Sequence, residues 1–186
     1  MNAITALQLL PSSYPSPPMN KDQLKATQAP LKQRYKDNPE SALVTLRAVG
    51  KAGDGITCKL ETGSALREAG LHPATGGDGT ALCSGDMLLE ALVACAGVTL
   101  KAVATAIGVN LRDATIKAEG ELDFRGTLAV SKEASVGFRA IRLNFELNTD
   151  AANDEIDSLI KLTERYCVVL QTLVASPKIE VSRKVV

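Results

Sequence analysis

Two of the four cysteines, Cys95 and Cys167, are the residues whose type and setting best suit chemistry. Cys95 lies in the string LVACAGV and Cys167 in the string RYCVVLQ. A peroxide can oxidise one thiolate to a sulfenic acid, and a second thiol can then condense with it to give a disulfide. Because free cysteine is among the most buried residue types, a purely structural pair of core thiols is the alternative interpretation.

The activation of such a thiol sets a condition on its surroundings. A peroxidatic cysteine needs a lowered pKa, which a nearby cation or a helix N-terminus supplies. Cys95 lies well past the first turn of its predicted helix, so the dipole of that helix cannot act alone. The sequence therefore predicts a guanidinium group that reaches Cys95 from elsewhere.

The remaining reactive residue types offer little. The single histidine, His72, lies in the glycine-rich string HPATGGDGT, where we expect a solvated loop residue. Histidine-rich zinc sites and a Ser-His-Asp triad need an oriented histidine, and the glycines match no phosphate loop. We therefore predict neither a metal nor a cofactor. Cys58 and Cys83 belong to no motif and are expected in a strand and a loop.

Two helices must position the cysteine pair. The segment 84–109 begins with Ser84 and Asp86 and reaches Gly108 near its end. Its apolar residues run nearly all the way round, which predicts a central helix buried on several sides and not a membrane span. The segment 155–176 is predicted to be the second helix, because N-capping and first-turn acids precede it and Pro177 follows it.

Strand-like segments separate these helices. The glycine-rich segment 63–80 predicts a mobile loop, and the segment 124–135 predicts a turn and loop. The predicted strands are 41–49 and 56–61, joined by a GKAGDG turn, then 115–124, 138–147 and the tail KIEVSRKVV. This order favours an α+β layer architecture with antiparallel hairpins over a doubly wound parallel sheet.

Bulk properties bound the class of protein. The 186 residues suit one domain, and 21 basic residues balance 21 acidic ones, so no net field attracts nucleic acid or an anionic membrane. Residues 1–40 are expected to form a proline-rich arm and a short helix at 21–35, which Pro30 should kink or split, with a disordered terminus as the alternative. The N-terminus lacks signal-peptide features, so we expect a cytoplasmic protein with reduced thiols.

The strings SGDMLLEALVACAGVTL and LTERYCVVLQTL, with ELDFRGTL and VGFRAIRLNFEL between them, resemble the two cysteine-helix motifs and central strands of the OsmC/Ohr family. The resemblance covers residues 41–186. It implies an OsmC-like fold, with antiparallel sheets wrapped around two long central helices in an intertwined homodimer. It also implies that Cys95 is peroxidatic and Cys167 resolving.

The resemblance suggests two supporting residues and contains two departures. The family arginine comes from the first hairpin, where Arg47 is preferred over Lys51, although Arg47 could equally be a surface strand residue. The peroxidase branches usually have Pro-Glu where this chain has Ser84-Gly85, and Cys-Pro where it has Cys167-Val168. Asp86 is the nearest substitute for the missing glutamate, with Glu90 as the alternative.

The functional expectation is a homodimeric thiol peroxidase in oxidative-stress defence. Organic hydroperoxides are its expected main substrates and inorganic ones its secondary substrates, and a cellular dithiol completes the cycle. The alternative is an OsmC-like binding or stress-associated protein without efficient peroxidase activity, which the Ser84-Gly85 departure favours. A structural cysteine pair in a protein of unrelated function is the third possibility.

Overall fold

The computed structural model describes residues 20–38, 49–52, 57–62, 65–77, 79, 81–129 and 131–185. Within these ranges the helices are α1 (Lys21–Asp37), α2 (Ser84–Ile107), α3 (Phe124–Thr127), α4 (Asn153–Tyr166) and α5 (Val168–Val174). The strands are β1 (Val49–Ala52), β2 (Thr57–Thr62), β3 (Ala65–Gly70), β4 (Leu82–Cys83), β5 (Leu111–Glu121) and β6 (Ala140–Thr149). The predicted mixture of helices and antiparallel hairpins is confirmed.

The leader helix α1 begins with a reciprocal cap. The backbone N–H of Gln23 donates to Asn20 Oδ1, and the backbone N–H of Asn20 donates to Gln23 Oε1, both at 2.9 Å. The prediction that Pro30 splits this helix is wrong, since α1 continues through it to Asp37. Pro30 is exposed, so its ring meets solvent and no neighbouring element.

The first sheet has the strand order β1-β2-β3-β4. An antiparallel hairpin is confirmed, because Val49 pairs with Glu61 and Ala52 with Cys58, but residues 50–52 belong to β1 and not to the predicted GKAGDG turn. The predicted strand 41–49 lies outside the described residues except for Val49. The prediction of a loop throughout 63–80 is wrong, because β3 pairs antiparallel with β2 and its end runs parallel to β4. Pairing with β2 overrides the weak strand preference of the sequence ALREAG.

The second sheet consists of the antiparallel pair β5 and β6, with Ile116 opposite Phe145. Alternation along both strands turns these apolar side chains toward the helices, as predicted for 115–124 and 138–147. The other face carries ion pairs, including Arg142 with Glu119 at 3.2 Å and with Glu121 at 2.6 Å. The predicted loop 124–135 contains the short helix α3 at its start.

The long helix α2 has the predicted bounds and ends at Gly108, whose φ of 83° is the left-handed conformation that favours glycine. Its buried residues form one stripe that packs on β5, α4 and α5: Leu92, Ala96, Leu100, Val103 and Ala104. Val98, on another side, is 74% exposed. Within the single chain α2 is therefore buried on one side, and burial on further sides stays a prediction. Among the described residues, α2 alone is long and apolar enough to cross a membrane.

The C-terminal region differs most from its prediction. The predicted second helix is divided at Cys167 into α4 and α5. The tail after α5 forms no strand within residues 175–185, and its Ile179 and Val181 are 79% and 93% exposed. A strand needs a hydrogen-bonded partner, and none of the described strands pairs with this tail.

Candidate active site

Cys95 lies in the middle of α2 and is half-buried. Its neighbours Leu92 and Ala96 have no exposed surface. These side chains pack against Ile116 and Phe145 of the second sheet in one apolar cluster. The sulfur of Cys95 therefore lies at the border of the core, partly open to solvent.

Cys167 lies at the break between α4 and α5. Its φ of −72° and ψ of 105° are extended, and a helix cannot continue through such a ψ. Its N–H donates to the carbonyl oxygen of Thr163, and its carbonyl oxygen accepts from the N–H of Gln171, both at 2.9 Å. Gln171 Nε2 also donates to the carbonyl oxygen of Glu164 at 2.9 Å, which bridges the two helices.

The break brings the two predicted thiols together. Cys167 is fully buried and packs in the same cluster as Cys95, Leu92 and Ala96. Both thiols are free, and the Cys167 thiol lies within hydrogen-bonding reach of the Cys95 sulfur. Two cysteines 72 positions apart in the chain thus lie in one apolar cluster.

The surroundings favour the ionised form of Cys95. Burial raises the pKa of the Cys95 thiol, but hydrogen bonds outweigh this effect, so the pKa is lowered. The donors to its sulfur are the backbone N–H of Val169, the Cys167 thiol, the backbone N–H of Val168 and the Thr99 hydroxyl. Of the two thiols, Cys95 is therefore the one whose surroundings favour the thiolate.

The surroundings of Cys167 act in the opposite direction. Burial raises the pKa of its thiol, which the backbone N–H groups of Leu170 and Val169 only partly offset. The neighbouring Cys95 raises the pKa further, because a hydrogen bond from the Cys167 thiol and repulsion by the Cys95 thiolate both oppose ionisation. Of the two thiols, Cys167 is therefore the one that holds its proton more strongly.

Among the described residues, the groups that lower the pKa of Cys95 are neutral main-chain and side-chain donors, where the sequence predicted a guanidinium. Arg47, the predicted source, lies outside the described residues. Arg165, the arginine nearest to Cys167 in sequence, is exposed and lies with its guanidinium carbon 5.8 Å from the ring centre of Tyr166. Sequence analysis missed the backbone donors of Val168 and Val169, because almost every residue type carries a backbone N–H. One signal was present, since proline at position 168 would lack that N–H.

Asp86 does not lie beside the thiol pair. It is exposed in the first turn of α2, nine residues before Cys95 and about 14 Å along the helix axis. Its predicted role was to hold Arg47, so that role stays a prediction.

A second cavity, which the sequence did not predict, lies at the start of α2. Its volume is about 350 Å³, and its lining includes His72, Cys83, Gly85, Phe124 and Phe138. The expectation of a solvated His72 is wrong: the ring is half-buried, stacks on Phe124 with centroids 4.9 Å apart, and accepts the N–H of Ala74 at Nδ1. A Cβ at Gly85 would lie in ordinary van der Waals contact with Phe138 at 3.5 Å and with Cys83 and Leu122 at 3.6 Å.

The described residues contain no group of three His, Cys, Asp or Glu side chains arranged to hold a metal ion. The chain has no match among curated proteins. Similar solved structures include an OsmC-like protein from Mycoplasma pneumoniae, with a TM-score of 0.61 and 16% identity over 72% of this chain and 89% of the other.

Two further structures are described as organic hydroperoxide resistance proteins. The one from Elizabethkingia anophelis has a TM-score of 0.58 and 15% identity over 72% of this chain and 91% of its own. The one from Legionella pneumophila has a TM-score of 0.56 and 18% identity with the same coverage. At these identities the likeness shows the fold. A family model for OsmC-like proteins matches residues 77–182, more than half of the chain. The chain therefore belongs to the OsmC-like family.

Proposed function

We propose that this protein is a thiol-dependent peroxidase in which Cys95 is the peroxidatic and Cys167 the resolving cysteine. The observation that carries the proposal is the contact of two thiols whose pKa values are displaced in opposite directions. A thiolate beside a protonated thiol is the starting state that peroxide reduction requires. Membership of a family with hydroperoxide resistance proteins among its structural neighbours supports it.

In the first step the Cys95 thiolate attacks the terminal oxygen of a hydroperoxide. The S–O bond forms as the O–O bond breaks, and the electron pair leaves with the alkoxide, which takes a proton and departs as the alcohol. Cys95 becomes a sulfenic acid.

In the second step Cys167 attacks the sulfur of the Cys95 sulfenic acid. The S–S bond forms, and the hydroxide leaves with the thiol proton as water. A cellular dithiol then reduces the disulfide by exchange and restores both thiols. We place the protein in the cytoplasm, where such dithiols are maintained.

The proposed substrate class follows from the apolar side chains around the thiols. The cluster around the thiols is built of aliphatic and aromatic side chains: Leu92, Ile116, Ile141, Leu143, Phe145 and Leu173. Such a surface favours the alkyl group of an organic hydroperoxide over a small polar peroxide. Organic hydroperoxides are therefore the proposed first substrates and hydrogen peroxide the second.

We further propose that the working form is an intertwined homodimer. Apolar side chains near the thiols are exposed in the single chain, including Val98 at 74%, Val168 at 69% and Val174 at 74%. The tail has the alternation of a strand without a partner strand among the described ones. A second copy would cover the apolar surface and could supply the missing strand edge.

The experiment compares peroxide consumption by the wild-type protein and Cys95→Ser with a dithiol present. Cys83→Ser is the matched control, because Cys83 is also half-buried and lies about 18 Å along α2 from Cys95. We expect wild type and Cys83→Ser to consume an alkyl hydroperoxide equally and Cys95→Ser to consume none. Consumption by Cys95→Ser at the wild-type rate would falsify the mechanism.

A binding function without efficient catalysis is the second candidate. The cavity lined by Gly85 favours it, because the peroxidase branches usually carry glutamate at this position and this chain has no side chain there. Alkylation of Cys95 as a function of pH separates the two candidates. A midpoint near that of an ordinary thiol, about 8.5, would support binding, and a clearly lower midpoint supports catalysis.

A further inference from the structure

Thr99 lies one helical turn after Cys95 and is half-buried. Its hydroxyl donates to the carbonyl oxygen of Cys95 at a distance of 2.8 Å. Side chains four residues apart lie on the same face of a helix, so this hydroxyl lies on the side of α2 that carries the Cys95 thiol, and it contributes to the lowered pKa of that thiol. A hydroxyl has one proton, so it can serve only one of these two acceptors at a time.

We propose that Thr99 is a thiolate-stabilising residue whose hydroxyl turns from the carbonyl oxygen of Cys95 to its sulfur when that sulfur ionises. The carbonyl oxygen keeps a partner after this turn, because it is also the acceptor of the helical N–H of residue 99. The sulfur gains a charge-assisted bond, which is roughly twice as strong as a neutral one. The exchange therefore favours the sulfur only in its charged state.

The same helix contains a matched comparison. Thr105 donates to the carbonyl oxygen of Lys101 at 2.8 Å, in the arrangement that Thr99 makes with Cys95. The residue one turn before Thr105 is a lysine, so its hydroxyl has no thiol as a second acceptor on that residue. A threonine hydroxyl that bonds the carbonyl oxygen four residues earlier does not stabilise a helix, and it slightly destabilises one. Loss of the bond at either position should therefore leave the fold intact.

The test measures alkylation of Cys95 by iodoacetamide across a range of pH, quantified by mass spectrometry on the peptide that contains Cys95. Thr99→Val keeps the side-chain shape and removes the hydroxyl. We expect alkylation about three- to tenfold slower than wild type, on the order of the net contribution of one hydrogen bond, with the midpoint moved to higher pH. Thr99→Ser keeps the hydroxyl and should stay within about twofold of wild type.

Thr105→Val should behave as wild type, and Thr99→Ala provides a second variant without the hydroxyl if Thr99→Val folds poorly. Wild-type alkylation by Thr99→Val or Thr99→Ala, or an equal shift in Thr105→Val, would overturn the assignment. The inference rests on the proposed function only for the use made of the thiolate, so peroxide consumption is measured in parallel. If wild type consumes no peroxide while Thr99→Val still shifts the midpoint, the peroxidase proposal fails and the role of Thr99 stands.

Discussion

Helix α2 carries two half-buried thiols in different surroundings. Cys83 caps its N-terminus and lines the cavity that holds His72, but its side chain makes no capping hydrogen bond. Cys95 lies twelve residues further along, where a second thiol and two backbone N–H groups of α5 reach its sulfur. Cys83 therefore lies at the helix N-terminus, which favours a thiolate, whereas Cys95 has the hydrogen-bond donors to its sulfur.

The difference shows that activation at Cys95 is tertiary. The amides of Val168 and Val169 follow it by more than 70 positions in the chain, and only the break at Cys167 turns them toward α2. A continuous helix over 155–176 would have committed those N–H groups to carbonyl oxygens one turn earlier. The interruption that sequence analysis missed is therefore the feature that builds the site.

Replacing Cys167 is the change expected to have the largest effect, and it should alter the oxidation of Cys95 but not of Cys83. After one equivalent of alkyl hydroperoxide, we expect wild type to yield a Cys95–Cys167 disulfide, because the thiols already touch. In Cys167→Ser we expect no disulfide at Cys95 and near-complete retention of its sulfenic acid. Peptide mapping without reductant, with a sulfenic-acid-selective probe, measures both products.

Cys83→Ser is the control for this experiment and should form the Cys95–Cys167 disulfide like wild type. The comparison of the two regions fails if the wild-type protein links Cys83 to either partner. It also fails if Cys167→Ser accumulates no sulfenic acid at Cys95, since Cys95 would then not be the residue that peroxide oxidises.

Val168→Pro removes one of the two backbone donors to Cys95, the N–H of residue 168, and leaves that of Val169. Proline suits this position, because Val168 is the first residue of α5 and Cys167 before it is already extended. The variant therefore loses an N–H without a conformational conflict, and it restores the Cys-Pro sequence that the peroxidase branches usually carry. We expect Cys95 alkylation at neutral pH to slow by about three- to tenfold, as its pKa rises.

Val168→Ala keeps the N–H and should alkylate at the wild-type rate, which separates the donor from the exposed side chain. Alkylation of Cys83 should stay unchanged in both variants. Equal rates for Val168→Pro and Val168→Ala would show that Val169, and not Val168, supplies the main-chain stabilisation of the thiolate.

The elements that carry a strong local pattern were predictable. The bounds of α2 follow from Ser84 and Gly108, and β5 and β6 follow from their alternation. The pairing of Cys95 with Cys167 came from the family resemblance, and the contact agrees with it. Neither inference needed knowledge of long-range packing.

The remaining features depend on contacts that no local pattern records. The string RYCVVLQ contains neither glycine nor proline, so nothing in it marks the end of α4. Strand β3 forms from helix-favouring residues because β2 offers it an edge, and the tail lacks the partner that its alternation requires. His72 is held by Phe124, more than 50 residues later in the chain.

Replacing Asp123 has the smallest expected effect, and we expect it to change the alkylation of Cys83 but not of Cys95. Its carboxylate accepts the Arg125 guanidinium at 2.6 and 2.9 Å and the Arg125 N–H at 3.2 Å, and these bonds, with the more distant Arg139, lower its pKa to about 2. A carboxyl whose pKa is depressed in the fold contributes stability above its ordinary value of 3.8, and that contribution is lost as the pH falls toward 2. Asp123→Asn removes the charge and keeps a side chain that caps helices well.

We therefore expect the difference in thermal midpoint between wild type and Asp123→Asn to be small at neutral pH and to vanish between about pH 4 and pH 2, since exposed ion pairs contribute little. Phe124 follows Asp123 directly and covers His72, so Cys83 should alkylate slightly faster in the variant while Cys95 does not change. Glu119→Gln, which removes an exposed partner of Arg142, is the control and should leave both thiols unaffected. An equal acceleration at Cys83 and Cys95 in Asp123→Asn would mean that the two ends of α2 respond as one unit, which contradicts the independence argued from their separate donors.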